Sequence, residues 1–365
     1  MKIRAAVTHG AGLKFTLEPV TLNEPKAGEI LVKIVASGIC HTDVEGVNGH
    51  LPTQIPAVFG HEGAGIVEKV WPDVTEFQPG DRVGFSFAYC NHCKNCYTGK
   101  VASCLNFNRI NFGGILPEGT SRLSQDGQTL SMFFGQSSFA EYAVVAAHTA
   151  VKVEYDDVDL GVVAPLGCGV QTGAGTVLNA LKPEFGSSIA IFGCGTVGMS
   201  AIMAARIAGC AKIIAVGGKD NTLELAKELG ATHTINRKTC PDIAEEIKKI
   251  TGDGANYSID TSGNTGFVRT ALHCLAPLGV EAVVGITPSM EIDMFGELMA
   301  EGKTLRGVIE GAAVPKVFIP QLIEYYRQGR FPVDKIMKFY RFDEINEAYE
   351  DSNNGKCIKA VVRMQ

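Results

Sequence analysis

At 365 residues, with 45% apolar residues and 42 glycines, the chain is long enough for about two domains of ~150 residues, each able to bury a full core. A net charge of -6 without a basic run excludes a field that would attract nucleic acid or an anionic membrane surface. Met1-Lys2-Ile3-Arg4-Ala5 meets Gly10 before an apolar run develops, and no unbroken apolar stretch reaches spanning length, so a soluble cytoplasmic protein is expected.

Residues 1 to about 160 read as short β-like runs broken by Gly and Pro, such as Ile30–Val35 and Gly63–Val70, the pattern of a compact β-rich domain. Two short segments there carry candidate ligands beside glycines or polar residues: Cys40-His41-Thr42-Asp43 and Gly60-His61-Glu62-Gly63. Then comes Cys90-Asn91-His92-Cys93-Lys94-Asn95-Cys96, closed by Cys104. Four thiolates in a C-x2-C-x2-C-x7-C run surround one tetrahedral zinc and leave no position for water, so this site pins a loop rather than reacts. Gly167-Cys168-Gly169 supplies one more candidate. Cys40, His61 and Cys168 together would give a metal two thiolates and one imidazole, with a fourth position open to water or substrate. A single cysteine is more often a small buried apolar residue than a ligand, and the five remaining cysteines sit in apolar stretches that suit that role. In a chain of this length, ligand-type spacing points to reduced thiols and metal rather than to disulfides.

From about 169 to 310 strand and helix alternate: Ser188–Phe192, a helix through Met199 to Ala208, Ile213–Val216, a helix through Leu223 to Leu229. That alternation means βαβ units and a parallel sheet. Gly193-Cys194-Gly195-Thr196-Val197-Gly198 stands between the first strand and the first helix, where a GxGxxG run lets the helix N-terminus approach a pyrophosphate. The acid expected about 20 residues later, to hold a ribose 2′-hydroxyl, is missing. Gly217-Gly218-Lys219 occupies its place. Nothing there repels a 2′-phosphate and Lys219 can pair with one as a point charge, which predicts NADP(H) over NAD(H). The competing reading has Asp220 swinging in and Lys219 as a solvated surface charge. The run Val283-Val284-Gly285-Ile286 is expected at the edge of this sheet, available to pair across a two-fold axis. Residues 311–365 hold an amphipathic helix near Phe318 to Arg327, then Phe342–Tyr349, and a strand-like Ile358–Val362 expected to fold back on the first domain.

Taken in order, Gly60-His61-Glu62, the four-cysteine lobe, Gly167-Cys168-Gly169 and the nucleotide loop resemble the zinc-dependent medium-chain alcohol dehydrogenases over the whole chain. Gly119-Thr120-Ser121-Arg122 and Phe133–Ala140 look most like the aryl (benzyl) alcohol dehydrogenases within that family. The resemblance implies an α/β fold class: a GroES-like catalytic domain at 1–168 with a structural zinc lobe at 90–104, a Rossmann doubly wound parallel-sheet domain at 169–310, and a return to the first domain at 311–365. It implies two zinc ions per chain, a catalytic one on Cys40, His61 and Cys168 and a structural one on Cys90, Cys93, Cys96 and Cys104. The implied reaction interconverts primary alcohols and aldehydes by hydride transfer with a nicotinamide.

In that frame Thr42 is the hydroxyl that takes the alcohol proton, and Asp43 orients His61. Glu62 either eases ligand exchange at the metal or is a buried acid in a hydrogen-bond network. Many relatives carry a His three positions after the relay hydroxyl. This chain has Glu45 there, so Glu45 or water is the final acceptor. His41 and Lys359 are expected on the cofactor pyrophosphate, and Thr172, Gly193, Gly195, Thr196, Val197, Gly198, Gly217, Gly218 and Lys219 complete the cofactor set. Leu51, Phe133, Phe134, Ile286 and Ile309 occupy pocket positions whose apolar, aromatic character suits aromatic or bulky apolar alcohols. Relatives form dimers or tetramers, so a homo-oligomer is expected. Two alternatives share the scaffold: a glutathione-dependent formaldehyde dehydrogenase, which needs a polar, basic pocket, and a polyol dehydrogenase. A non-catalytic zinc-ribbon binding protein is opposed by the acidic charge, the open ligand set and the nucleotide loop.

Overall fold

The computed structural model describes residues 1–116 and 118–364. The chain forms two compact units, one of Met1–Gly169, Val314–Arg327 and the segment from Val333 onward, the other of Val170–Ala313 with Gln328–Pro332. Among the described residues no single helix is long and apolar enough to cross a membrane.

The first unit is built on the strand Glu29–Gly38, whose residues are buried or half-buried throughout. It pairs antiparallel with Glu62–Val70, Tyr142–Ala146 and Lys359–Arg363 within a seven-stranded sheet. A five-stranded sheet runs from Ala57–Val58 through Lys2–Thr8 and Thr16–Leu22 to Leu123–Gln125 and Gln128–Thr129. Val20, Ile30, Val32, Phe59, Phe85 and Phe139 belong to the core that these sheets share. The C-terminal strand sets Val361 opposite Gly38 and Val362 opposite Ser37. Helix Pro315–Arg327 buries Phe318, Ile319, Leu322 and Ile323, a stripe at helical spacing.

The second unit carries six parallel strands in the spatial order His233–Asn236, Lys212–Gly217, Ser188–Phe192, Ala255–Asp260, Leu275–Val283 and Thr304–Gly307. In chain order this is third, second, first, fourth, fifth, sixth, the doubly wound arrangement that binds dinucleotides where the order reverses. Ser188–Phe192 is buried at every position, as a central parallel strand covered on both faces must be.

The expected edge strand is not an edge. Leu275–Val283 is paired on both sides, and residues 284–286 lie beyond its end. The outer strand is Thr304–Gly307, short and mostly exposed. The physical reason is general: a continuous apolar run marks an interior parallel strand, whereas edges are kept short and polar.

Candidate active site

The register that sets Gly38 opposite Glu62 brings two strand ends together. Cys40 lies two residues past one end and His61 immediately before the other. Cys40 caps the helix His41–Val47. In the first turn of that helix, fully buried Asp43 accepts the Cys40 N–H at 3.0 Å, the Gly60 N–H at 3.1 Å and Nδ1 of His61 at 2.9 Å. With Nδ1 donating to Asp43, Nε2 is free to act as a ligand, and it faces Sγ of Cys168 at 3.2 Å. Cys168 arrives by a tight passage: a Cβ on Gly167 would stand 1.7 Å from the Phe85 carbonyl oxygen.

Ligand atoms of Cys40, His61, Glu62 and Cys168 all lie within 4.8 Å of one another. The hydrogen bond with Cys168 holds the Cys40 thiol well below its ordinary pKa against the cost of burial, and His61 adds to the effect. Burial depresses the His61 imidazole, but the Asp43 charge and hydrogen bond, followed by Cys40, more than offset it and raise the ring well above its ordinary range. A thiolate-prone cysteine, a second cysteine and an oriented imidazole are the donor set that suits zinc.

Glu62 is engaged elsewhere. Its oxygens accept from Nζ of Lys359 at 3.0 and 2.8 Å, and Oε1 also accepts the Gly169 N–H at 3.1 Å. Nζ of Lys359 donates its remaining proton to the Ile39 carbonyl at 2.9 Å. Burial pushes the Glu62 carboxyl up, and the Lys359 charge draws it part of the way back. Lys359 therefore does not reach out to a cofactor pyrophosphate as expected. It is 2% exposed and its three donors are used, because a buried carboxylate needs a cation and the C-terminal strand supplies one.

Thr42 Oγ1 lies 3.7 Å from Cys40 Sγ. One turn further along the helix, Glu45 faces two imidazoles, Nδ1 of His50 at 2.9 Å and Nε2 of His41 at 3.3 Å. His50 was not singled out in the sequence; its only signal was a position just past the end of that helix. Around His61, Phe134 stacks at 4.3 Å and 22° and Phe133 stands edge-on at 5.5 Å and 80°. The pocket expectation is corrected for these two rings. They are 3% and 0% exposed, and Phe59 and Phe112 pack on their other sides, so they fix the imidazole plane rather than line open space. Leu51 is half-buried against the same core. Ile286 and Ile309 are exposed residues of the second unit.

The four-cysteine lobe gathers Cys90, Cys93, Cys96 and Cys104 within 4.8 Å of one another. Burial raises the Cys104 thiol above its ordinary pKa, and the N–H groups of Cys90 at 3.3 Å and Asn106 at 3.4 Å, which donate to its Sγ, offset part of the rise. Four sulfurs with no other ligand suit a closed zinc site.

In the second unit, Gly193 has φ 108, a conformation that favours glycine. A Cβ on Gly198 would lie 1.9 Å from the Gly193 carbonyl oxygen, so the turn closes only with glycine at both ends. Gly195 caps the helix Thr196–Ala208, and Thr196, Val197 and Gly198 form its first turn, the end of a helix that favours an anion. Gly217 ends the strand Lys212–Gly217, and a Cβ there would meet Cys194 Sγ at 2.8 Å and Leu223 Cδ2 at 2.9 Å. Lys219 is exposed. Asp220, weighed as a stand-in for the missing acid, accepts from Nδ2 of Asn236 at 2.6 Å. Thr172, on the helix Gly169–Gly175, lies 3.5 Å from the Glu310 carboxylate. Arg237, which sequence reasoning passed over, rests against Gly218.

Comparison with known proteins gives a consistent result. Residues 26–155 match the model of the alcohol dehydrogenase GroES-like domain and residues 196–325 that of the zinc-binding dehydrogenases. The chain is 41% identical to geraniol dehydrogenase of Castellaniella defragrans, covering 98% of this chain and 97% of that protein. It is 34% identical to S-(hydroxymethyl)glutathione dehydrogenase of Paracoccus denitrificans, covering 99% and 100%. The crystal structure of benzyl alcohol dehydrogenase from Acinetobacter calcoaceticus superposes with a TM-score of 0.96 over 100% of both chains, at 44% identity.

Proposed function

Because the chain belongs to the zinc-dependent medium-chain alcohol dehydrogenase family, we propose that it interconverts aromatic or bulky apolar primary alcohols with their aldehydes, using NADP(H) in preference to NAD(H). The observation that carries this reading is the convergence of Cys40, His61 and Cys168, with Glu62 held back by Lys359. Three ligands leave a coordination position for an alcohol oxygen. Zinc held by these residues would supply Lewis acidity, and a bound nicotinamide would supply the hydride chemistry.

The remaining steps belong to the chain. Asp43 fixes the ligating tautomer of His61, and Phe133 and Phe134 hold its ring. The Thr42 hydroxyl, two residues past Cys40, takes the alcohol proton, and Glu45 is the next acceptor, backed by His50. Cys90, Cys93, Cys96 and Cys104 hold the structural zinc. The cofactor preference is supported by the missing acid at Gly217, a position that Cys194 and Leu223 crowd, and by the bond that occupies Asp220. The aromatic or bulky substrate class is supported by the likeness to geraniol and benzyl alcohol dehydrogenases. A homo-oligomer joined along the open Thr304–Gly307 edge belongs to the same reading.

The test is benzaldehyde reduction by the zinc-loaded protein, with NADPH and NADH side by side. Faster turnover with NADPH is expected. A faster rate with NADH would overturn the cofactor preference alone, while no turnover of benzaldehyde, cinnamaldehyde or geranial would overturn the substrate class. The Paracoccus relative keeps one alternative in view. A formaldehyde rate that requires glutathione and exceeds the benzaldehyde rate would reassign the enzyme.

A further inference from the structure

We propose that Arg237 is the specificity-determining ligand for the adenosine 2′-phosphate, its guanidinium lying across Gly218 to grip that group. This rests on the preference for NADP(H) proposed above and names the residue responsible. The strands Lys212–Gly217 and His233–Asn236 run parallel with Gly217 beside Asn236, and the Arg237 N–H donates to the Gly217 carbonyl at 2.8 Å. Arg237 therefore leaves the carboxyl end of its strand, the end at which ligands bind in sheets of this kind, next to the position of the missing acid.

Its side chain folds over Gly218. A Cβ on Gly218 would stand 2.8 Å from Nε and 3.3 Å from Cζ. Gly218 has no positive φ, so its backbone does not call for glycine. A side chain there would instead displace the guanidinium from its present position. The Phe267 ring lies 5.4 Å from Cζ, a cation–π contact that helps hold the group where it is and leaves its N–H edges available. Arg237 is exposed, and among the described residues no carboxylate pairs with it. Asp220, the acid one residue past Lys219, is bonded to Asn236 instead. An oriented, unpaired guanidinium matches a phosphate monoester with two parallel N–H···O bonds, where Lys219 offers only a point charge.

Two ligands that differ only by the 2′-phosphate test this directly: adenosine 2′,5′-bisphosphate and 5′-AMP, titrated calorimetrically into the full chain and into Arg237→Gln, Arg237→Lys and Lys219→Gln. The wild type is expected to bind the bisphosphate more tightly. Arg237→Gln should weaken the bisphosphate roughly ten- to a hundredfold, the range for losing charged hydrogen bonds, and leave 5′-AMP unchanged. Arg237→Lys should recover only part of the loss. A wild type that does not distinguish the two ligands would overturn the NADP(H) reading itself. A preference that survives Arg237→Gln and disappears in Lys219→Gln would overturn Arg237 and leave the reading in place. Equal loss of both ligands in an Arg237→Gln protein with wild-type melting would also overturn it, since a general loss of the nucleotide site is not 2′-phosphate recognition.

Discussion

Glu281 offers a sharp test of the energetics of the second unit. It is 0% exposed on Leu275–Val283, opposite Ser258 on one neighbouring strand and Leu305 on the other. Neither of its oxygens, nor the Ser258 hydroxyl, has a hydrogen-bond partner. Burial pushes this carboxyl from its ordinary 4.5 up to about 9, and the Asp260 charge adds to the rise. Between those values the folded chain retains a proton that the unfolded chain has released. Stability therefore falls as pH rises, by about 1.4 kcal/mol per pH unit, or roughly 2.7 kcal/mol between pH 6 and pH 8. Glu281→Gln keeps the shape of the neutral acid and removes its titration. The variant should gain on the wild type by roughly 2–3 kcal/mol over that interval, equivalent to several degrees in Tm at about 2–4 °C per kcal/mol. Calorimetric melts of both zinc-loaded proteins at pH 6, 7 and 8 measure this, and other titrating groups cancel in the difference. Parallel pH curves for the two proteins would refute the claim that the core holds Glu281 protonated.

The other predictions concern the first unit. Lys359→Met leaves Glu62 buried without its cation and should cost about 3–5 kcal/mol in urea unfolding, whereas adding Glu62→Gln should restore most of it; a single variant as stable as wild type would deny the pair that role. Cys168→Ser and Cys104→Ser disrupt separate clusters, so metal analysis should show that each loses one zinc per chain and keeps the other, with activity abolished in the first. Loss of both ions from either variant would show the clusters to be interdependent. Glu45→Gln should slow alcohol oxidation at neutral pH and change its pH profile, and His50→Gln should act in the same direction; unchanged profiles would remove both from the proton path. Gly38→Ala places a Cβ 2.0 Å from Glu62 Oε2, so a large drop in Tm is expected, and wild-type melting would contradict the close approach.

What was legible in the sequence is what lies close together along it. The four-cysteine lobe spans residues 90–104, and its ligand spacing is readable without any fold. The nucleotide loop is likewise local, because the strand, the glycines and the helix follow one another. Cys40, His61 and Cys168 are distant in sequence, yet each stood beside a glycine or polar residues that marked it. Lys359 gave no such signal: its partner lies 297 residues away, and nothing around it says that Nζ turns inward rather than towards a phosphate. Arg237 was missed for a related reason, since only parallel pairing places residue 237 beside Gly218. The edge strand was misread because apolar character reports burial, and the interior strand is the more buried of the two.

Lys359 also bears on how many of the four clustered donors a metal would take in the proposed site. Glu62 follows His61 directly, and its carboxylate lies within 4.8 Å of both cysteine sulfurs and the imidazole, near enough for a four-ligand site closed to substrate. Lys359 and the Gly169 N–H bind both of its oxygens instead. The acid remains in place, in space that the missing side chain of Gly38 leaves open, but its charge is matched by a lysine that arrives on the last strand of the chain. In the proposed site, an open coordination position would thus depend on a pairing of β-strands more than three hundred residues apart in sequence. A local motif supplies the ligands, and the tertiary fold determines how many of them are free to bind.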